Sequence, residues 1–172
     1  MPPNDPPIAH WKDVERPEAH RYSGDDERMG FDADLGRHFG LARLGIHHVR
    51  LPPGRRTSYP HAESAEEEFV FVIEGTPDVW LDGHLTRLKP GDAVGFQPGT
   101  GLCHTFLNNT DAEVRLMVIG DTDRAENRIY YPLNPEREPL RPDWWRDFPE
   151  RPLGDHDGLT DARRAEQQRR TP

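Results

Sequence analysis

The stretch "SYPHAESAEEEFVFVIEG", residues 58–75, raises the question on which the interpretation of the whole chain depends. It places His61 and four glutamates directly before a run of large apolar residues. Phe69 to Ile73 are all aromatic or β-branched, which is typical of a strand. Carboxylates at the mouth of a buried strand are costly to desolvate unless a partner compensates their charge. The question is what that partner is.

Alternation along this strand predicts two apolar faces. Successive side chains point to opposite sides, so Val70 and Val72 share a face with Glu68, while Phe69 and Phe71 lie on the other. The interior of a small barrel accounts for one face. The other face needs a cover, which could be a second sheet, a proline-rich arm or another subunit. We therefore expect a homodimer whose interface includes the N-terminal arm.

Composition and charge restrict the class of protein. The chain has 172 residues, enough for one domain with a core, but its 18 prolines and 31% charged residues leave part of it as arms or loops. A net charge of −9 argues against a nucleic-acid partner. The single cysteine excludes a disulfide framework, and no apolar stretch approaches the length of a membrane span or a signal peptide. These features predict a cytoplasmic protein with a small-molecule ligand and without a membrane partner.

Apolar runs divide the chain into an N-terminal arm at 1–40, a barrel at 41–120 and a C-terminal extension at 121–172. Both outer parts are polar and interrupted by prolines. In the middle part, turn signals such as Asp82-Gly83 separate short apolar segments, which is typical of an all-β fold. The predicted strands lie at 41–51, 69–74, 79–81, 84–88, 93–96, 102–107 and 114–119. The sequence therefore predicts a small antiparallel β-barrel with proline-rich N- and C-terminal extensions.

The residues from Gly54 to Asn108 resemble the two paired motifs of the cupin superfamily. The first motif reads, in this chain, His61-Ala-Glu63, four residues, Glu68, six residues and Gly75. The second reads Gly91, six residues, Pro98, Gly101, two residues, His104, three residues and Asn108. The chain departs from the family pattern where Glu63 stands in the place of a second histidine, and where the spacing around Pro98 is one residue longer at each step. The resemblance implies a jelly-roll barrel that binds one divalent metal ion.

By this resemblance the metal ligands would be His61, Glu63, Glu68 and His104. A divalent ion takes nitrogen and oxygen donors and compensates carboxylates, which answers the question raised by the glutamates. Imidazoles combined with carboxylates suit Fe²⁺, Mn²⁺, Ni²⁺ or Zn²⁺, and the residues do not select among these ions.

Most of these residues also allow a second interpretation. His61 and His104 fit hydrogen-bonded barrel histidines as well as ligands. Glu63 also fits a solvent-facing loop residue of a cupin that has lost one ligand. Glu67 would satisfy a shorter motif spacing in place of Glu68.

Other residues allow expectations from their position alone. His47 and His48 alternate on one predicted strand, so at most one of them enters the barrel, where it would contact a substrate or support a ligand. Cys103 adjoins His104 and should face away from it, which favours packing over chemistry. We expect Trp144 and Trp145 to be buried where they hold the C-terminal extension in place.

Two functions follow from the resemblance. The first is a metal-dependent enzyme that acts on a small organic acid, sugar or aromatic compound, with Glu66 as the nearest candidate base. The second is a non-catalytic cupin that binds a sugar or carboxylate in the same pocket. The absence of a helix-turn-helix pattern beside the barrel disfavours a sensor that reads DNA.

Overall fold

The computed structural model describes residues 7–122 and 124–170, in which ten strands and a few short helices form an antiparallel β-barrel. The strands are β1 (Phe31–Asp34), β2 (Leu44–Leu51), β3 (Ala62–Glu63), β4 (Glu68–Glu74), β5 (Asp78–Leu81), β6 (His84–Arg87), β7 (Ala93–Phe96), β8 (His104–Leu107), β9 (Val114–Asp121) and β10 (Ile129–Tyr130). The α-helices are α1 (Trp11–Val14), α2 (Leu35–His38) and α3 (Asp161–Arg170), and a 3₁₀-helix spans Pro135–Leu140. The predicted all-β fold is confirmed.

The strands form one large and two smaller sheets. The large sheet has the order β1-β2-β9-β4-β7, a three-stranded sheet has the order β6-β5-β8, and β10 pairs with β3. All pairs are antiparallel. Because the large sheet and the three-stranded sheet pack face to face, their inner side chains form one core.

The two faces of β4 have different surroundings, as its alternation predicts. Val70 and Val72 belong to the core and are fully buried. Phe69 and Phe71 point outward and remain 43% and 38% exposed. Inner and outer positions are thus fixed by the strand register, which places Glu68 on the inner side with the two valines.

The predicted hairpin at Asp82-Gly83 is confirmed, since the turn joins β5 to β6. Both turn residues have positive φ, 44° for Asp82 and 86° for Gly83. A side chain at Gly83 would also collide with the backbone of Gly154, because a Cβ there would lie 2.4 Å from the Gly154 nitrogen. The glycine therefore serves both the turn and the close approach of the C-terminal extension.

The C-terminal extension covers the outside of the three-stranded sheet. Trp145 packs with Trp80 and Leu107 from the outer face of β5 and β8, together with Ala62 and Cys103. Trp144 packs in a neighbouring cluster with Met29, Tyr59 and Tyr131. The expectation that both tryptophans are buried is confirmed, since they are 7% and 6% exposed.

The N-terminal arm contains more regular structure than its composition suggests. Its strand β1 joins the large sheet beside β2, and Trp11 of α1 stacks on His48 at the outer face with 4.2 Å between ring centroids. The arm therefore packs against its own barrel. No helix in residues 7–122 and 124–170 is long and apolar enough to cross a membrane.

A buried ion pair joins the arm to the barrel and to the C-terminal extension. Arg56 donates two hydrogen bonds of 2.8 Å to the carboxylate of Glu27 in the arm. A third hydrogen bond, also 2.8 Å, runs from Arg56 to the carbonyl of Gly158. Both charges are buried and their hydrogen bonds are satisfied, so this contact fixes how the three parts meet.

Candidate metal centre

Three side chains from different parts of the barrel converge in its interior. His61 lies just before β3 and forms a β-bridge with His104, the first residue of β8, through two backbone hydrogen bonds of 3.1 and 2.9 Å. Glu68 is the first residue of β4. Donor atoms of the three side chains lie within 4.8 Å of one another. This separation is close to the roughly 3–4 Å between ligands that share one divalent ion.

Packing and hydrogen bonds orient the three groups. His104 Nε2 donates to Glu68 Oε1 over 3.1 Å, and the ring of Phe96 stacks on His104 with 3.5 Å between centroids. His61 Nδ1 lies 2.9 Å from the carbonyl of Tyr59. Donation to that carbonyl places the proton on Nδ1 and leaves Nε2 of His61 with a free lone pair, the form in which histidine binds a metal.

The electrostatics favour the protonation states that a metal requires. Burial, reinforced by the neighbouring His104, lowers the pKa of His61 to about 4, so its imidazole is neutral at physiological pH. Burial by itself would raise the pKa of the Glu68 carboxyl, but the hydrogen bond from His104 and the two imidazoles hold that pKa below its ordinary value. A bound cation would take the place of the proton that His104 and Glu68 share. The residues present therefore fit a divalent metal ion.

Glu63, the fourth predicted ligand, lies beside the three-donor group and not within it. Its side chain lines a small pocket shared with Glu66 and Glu68, and its strand pairs with Ile129 of the C-terminal extension. Burial, together with the negative charges of Glu66 and Glu68, raises the pKa of Glu63 to about 8. Its ligation of a metal stays a prediction.

Glu66, Glu67 and Glu68 differ in their surroundings. Glu67 is exposed, so Glu68 and not Glu67 is the acid that joins the two histidines. Glu66 accepts a 2.7 Å hydrogen bond from the backbone of Arg124 and lines the small pocket. It is absent from the lining of the main cavity, and its role as a base stays a prediction.

The main cavity opens above the three donors and has a volume of about 340 Å³. Its inner walls are apolar, because alternation places Val70 next to Glu68 on β4 and Phe106 next to His104 on β8. Val49 and Val118 extend the apolar wall across the large sheet. Among residues 7–122 and 124–170, the other charged or strongly polar side chains of this lining form one polar wall: Arg16, Glu18, His20, Asp32 and His47. The hydroxyls of Thr57 and Ser58 also line the cavity.

The N-terminal arm supplies most of that polar wall, and β2 adds His47. His47 points into the cavity from β2, while His48 faces outward onto Trp11, as the alternation of the two histidines predicts. Asp32 of β1 accepts a 2.9 Å hydrogen bond from His47 Nδ1. Arg16 lies 4.0 Å from the other oxygen of Asp32. The sequence gives no signal for Asp32 or Arg16, because the polar arm has no pattern that shows which of its side chains reach the cavity.

An antiparallel barrel with two histidines and a glutamate converging on its interior defines a class of small metal-site proteins. Residues 47–120 match the family model Cupin_2, described as a cupin domain. The cupin resemblance is thus confirmed for residues 47–120, and the barrel is of the jelly-roll type found in that superfamily.

Two relatives with named functions match part of the chain. A protein of Streptomyces cyaneus named polyketide synthase CurC is 33% identical over 106 residues, which are 61% of this chain and 64% of that protein. A sugar phosphate isomerase of Silicibacter pomeroyi is 34% identical, with a TM-score of 0.56, over 59% of this chain and 64% of that one. The chain thus spans slightly less than two thirds of the length of each. The polyketide cyclase RemF of Streptomyces resistomycificus, 22% identical with a TM-score of 0.59 over 80% of this chain and 94% of that one, shows the same fold.

Proposed function

We propose that this protein is a metal-dependent enzyme that acts on an oxygenated aromatic or polyketide-like compound. His61, Glu68 and His104 would hold one divalent ion, of the set Fe²⁺, Mn²⁺, Ni²⁺ or Zn²⁺. When bound, such an ion polarises an oxygen of the substrate as a Lewis acid.

The observation that carries this proposal is the apolar wall beside the three donors. Val70 and Phe106 are almost fully buried and flank Glu68 and His104 directly along their strands. A substrate bound there needs oxygen atoms that reach the ion held by the three donors, and an apolar part that packs against the wall. An aromatic or polyketide-like compound has this distribution, and the relative named as a polyketide synthase protein agrees with it.

A sugar phosphate is the competing substrate class, favoured by the relative named as a sugar phosphate isomerase. Those of its hydroxyl groups that face the apolar wall would lack hydrogen-bond partners, which costs about 1–3 kcal/mol for each unpaired group. A cation for its phosphate exists at the mouth in Arg16, but that side chain lies within ion-pair distance of Asp32. The cavity therefore favours the aromatic class.

Metal and substrate class can be tested with one probe. The full chain, loaded with Co²⁺, would be titrated with ortho-hydroxyacetophenone, an aromatic compound with two oxygen donors, and separately with glucose phosphate. We expect the aromatic probe to change the visible d–d bands of Co²⁺ and to raise Tm, and the sugar phosphate to do neither. Binding of glucose phosphate alone would overturn the proposed substrate class.

The role of the three donors has a matched control on one strand. Glu68→Gln removes a proposed ligand, whereas Glu74→Gln makes the same change at the exposed far end of β4, where Glu74 pairs with Arg115. Since loss of supporting residues alone costs about 10- to 100-fold in metal affinity, Glu68→Gln should cost more than about 100-fold. Glu74→Gln should retain the wild-type affinity in a competition titration with a chromogenic chelator. Equal affinities in both variants would show that no metal is held at Glu68.

If the loaded protein binds the aromatic probe but leaves it and related phenolic ketones unchanged, the non-catalytic binding cupin is the better description. Product analysis by mass spectrometry after long incubation distinguishes these two cases.

A further inference from the structure

We propose that His47, oriented by Asp32, transfers a proton to and from the substrate in the main cavity, an inference that rests on the proposed function above. The two residues come from different parts of the chain. His47 lies on β2 at the edge of the region that matches the cupin domain, while Asp32 lies on β1 of the N-terminal arm, outside that region.

The geometry assigns separate roles to the two ring nitrogens of His47. Nδ1 is paired with Asp32 Oδ1 at 2.9 Å, so the carboxylate holds the proton on Nδ1 and fixes the tautomer. Nε2 has no hydrogen-bond partner among residues 7–122 and 124–170. Gly45 precedes His47 by two positions, and a Cβ there would lie 3.5 Å from Nε2, so the lack of a side chain leaves this nitrogen uncovered. The lone pair on Nε2 is therefore available to a molecule in the cavity.

His47 shares the cavity with the proposed metal ligands. Both His47 and Glu68 line the main cavity, and His47 pairs with Val118, another lining residue, on the neighbouring strand β9. A substrate whose oxygen atoms bind at the three donors would thus place its carbon skeleton in the cavity that His47 also lines.

The proposed step is proton abstraction from a carbon next to a carbonyl group. The C–H bond breaks, its proton is added to Nε2, and its electron pair forms the C=C bond of an enolate as the carbonyl π electrons move onto oxygen. The Asp32 carboxylate stabilises the resulting imidazolium through Nδ1–H. Return of the proton from Nε2 to a carbon or oxygen of the substrate restores neutral His47, so no other reactant is needed.

The charged groups around His47 set the pH at which it can accept a proton. The hydrogen bond to Asp32 raises the pKa of His47, and the nearby charge of Asp34 acts in the same direction. Burial and the positive charge of Arg16 oppose this rise. Glu68 adds a negative charge from across the cavity, and His20 lies on the arm side. Since Asp32 has the largest effect, its removal should lower the pKa of His47.

The test measures exchange of the methyl protons of ortho-hydroxyacetophenone in D₂O by NMR, with the Zn²⁺-loaded full chain. Abstraction of a proton next to the carbonyl group replaces hydrogen by deuterium at that carbon. His47→Gln should slow the exchange catalysed by the protein by about 100-fold or more, the usual contribution of a general base. His48→Gln is the matched control, since it changes the adjacent residue on the opposite face and should leave exchange unchanged. Probe affinity, read from Co²⁺ spectra, should stay within about threefold in both variants.

Asp32 is a positioning residue and needs a readout independent of catalysis. In the metal-free protein, Asp32→Asn should move the NMR titration of the His47 imidazole to lower pH, and Asp32→Glu should restore part of the shift. An unchanged His47 titration in Asp32→Asn would overturn the role of Asp32.

The outcomes separate this inference from the proposed function. If the probe binds the loaded protein but exchange is the same in wild type and His47→Gln, the role of His47 is wrong while the proposed function stands. If the probe does not bind the loaded wild type, the proposed function fails and this inference fails with it.

Discussion

The barrel has two outer faces, and residues 7–122 and 124–170 leave part of one of them uncovered. Outside the three-stranded sheet, Trp145 of the C-terminal extension buries Trp80 and Leu107. Outside the large sheet, Phe69 and Phe71 remain 43% and 38% exposed, beside Met117 and Ile119 on the neighbouring strand. We call these four residues the open face.

The difference shows how a polar extension can complete a barrel. Its tryptophans pack against the barrel, while most of its prolines are exposed. The N-terminal arm covers the neighbouring strand β2, where Trp11 stacks on His48 beside Met117. Large exposed apolar patches on soluble proteins commonly mark interaction sites, so the open face is the surface at which we expect a second copy to bind.

The largest effect should come from removing the cover. Deletion of the chain from Tyr130 onward exposes Trp80 and Leu107 and removes half of β10, the partner strand of β3. We expect Tm to fall by about 15 °C or more, or cooperative melting to be lost. Scanning calorimetry checks this. A truncated protein that melts like the full chain would show that the extension does not stabilise the barrel.

A single residue sharpens the comparison between the two faces. Trp145→Ala removes a side chain that is 6% exposed and should lower the free energy of unfolding by about 3–5 kcal/mol. Phe71→Ala, on the open face, should cost about 1 kcal/mol or less in the monomer. Urea unfolding of both variants measures the difference, and equal losses would contradict the distinction between a covered and an open face.

Assembly tests the open face directly. We expect the wild type to be a dimer at micromolar concentration, and Phe71→Glu to be a monomer, because a charge buried at the centre of an interface has no partner. Leu140→Glu is the control, since Leu140 is 69% exposed and lies on the 3₁₀-helix of the extension. Light scattering coupled to size exclusion distinguishes the states. A monomeric wild type, or a Phe71→Glu variant that remains dimeric, would exclude the open face as the dimer interface.

The main strands were predictable because strong local signals surround them. Asp82-Gly83 and the β-branched run at Phe69–Ile73 determine turn and strand without help from distant residues. Strand β1 was missed, because its sequence Phe-Asp-Ala-Asp has little strand character and pairs with β2 mainly through its backbone. The two-residue strands β3 and β10 are likewise products of tertiary contact.

The candidate site was predictable only as far as the motifs extend. The motifs select His61, Glu63, Glu68 and His104, and the structure brings three of them together, His61, Glu68 and His104. The motifs cannot select Asp32, which reaches His47 because β1 pairs with β2. Residues such as Asp32, which an arm brings to the cavity through the topology of the chain, have no periodic signal in the sequence. The polar wall of the cavity therefore could not be predicted.

The smallest effect concerns Glu63, whose strand is paired with the covering extension. Because Glu63 lies beside the three donors, Glu63→Gln should lower metal affinity about 10-fold, less than Glu68→Gln.

The effect of Glu63 on metal affinity should depend on pH. Burial and the charges of Glu66 and Glu68 raise the pKa of Glu63 to about 8, so this carboxyl is mostly protonated at pH 7 and gains its negative charge as the pH rises through 8. Metal affinity of the wild type should therefore increase relative to Glu63→Gln between pH 7 and pH 9, as measured by chelator competition at both values. If wild type and Glu63→Gln bind the metal with equal affinity at both pH values, Glu63 does not act on the metal. A loss as large as that of Glu68→Gln would instead establish it as the fourth ligand that the motif predicts.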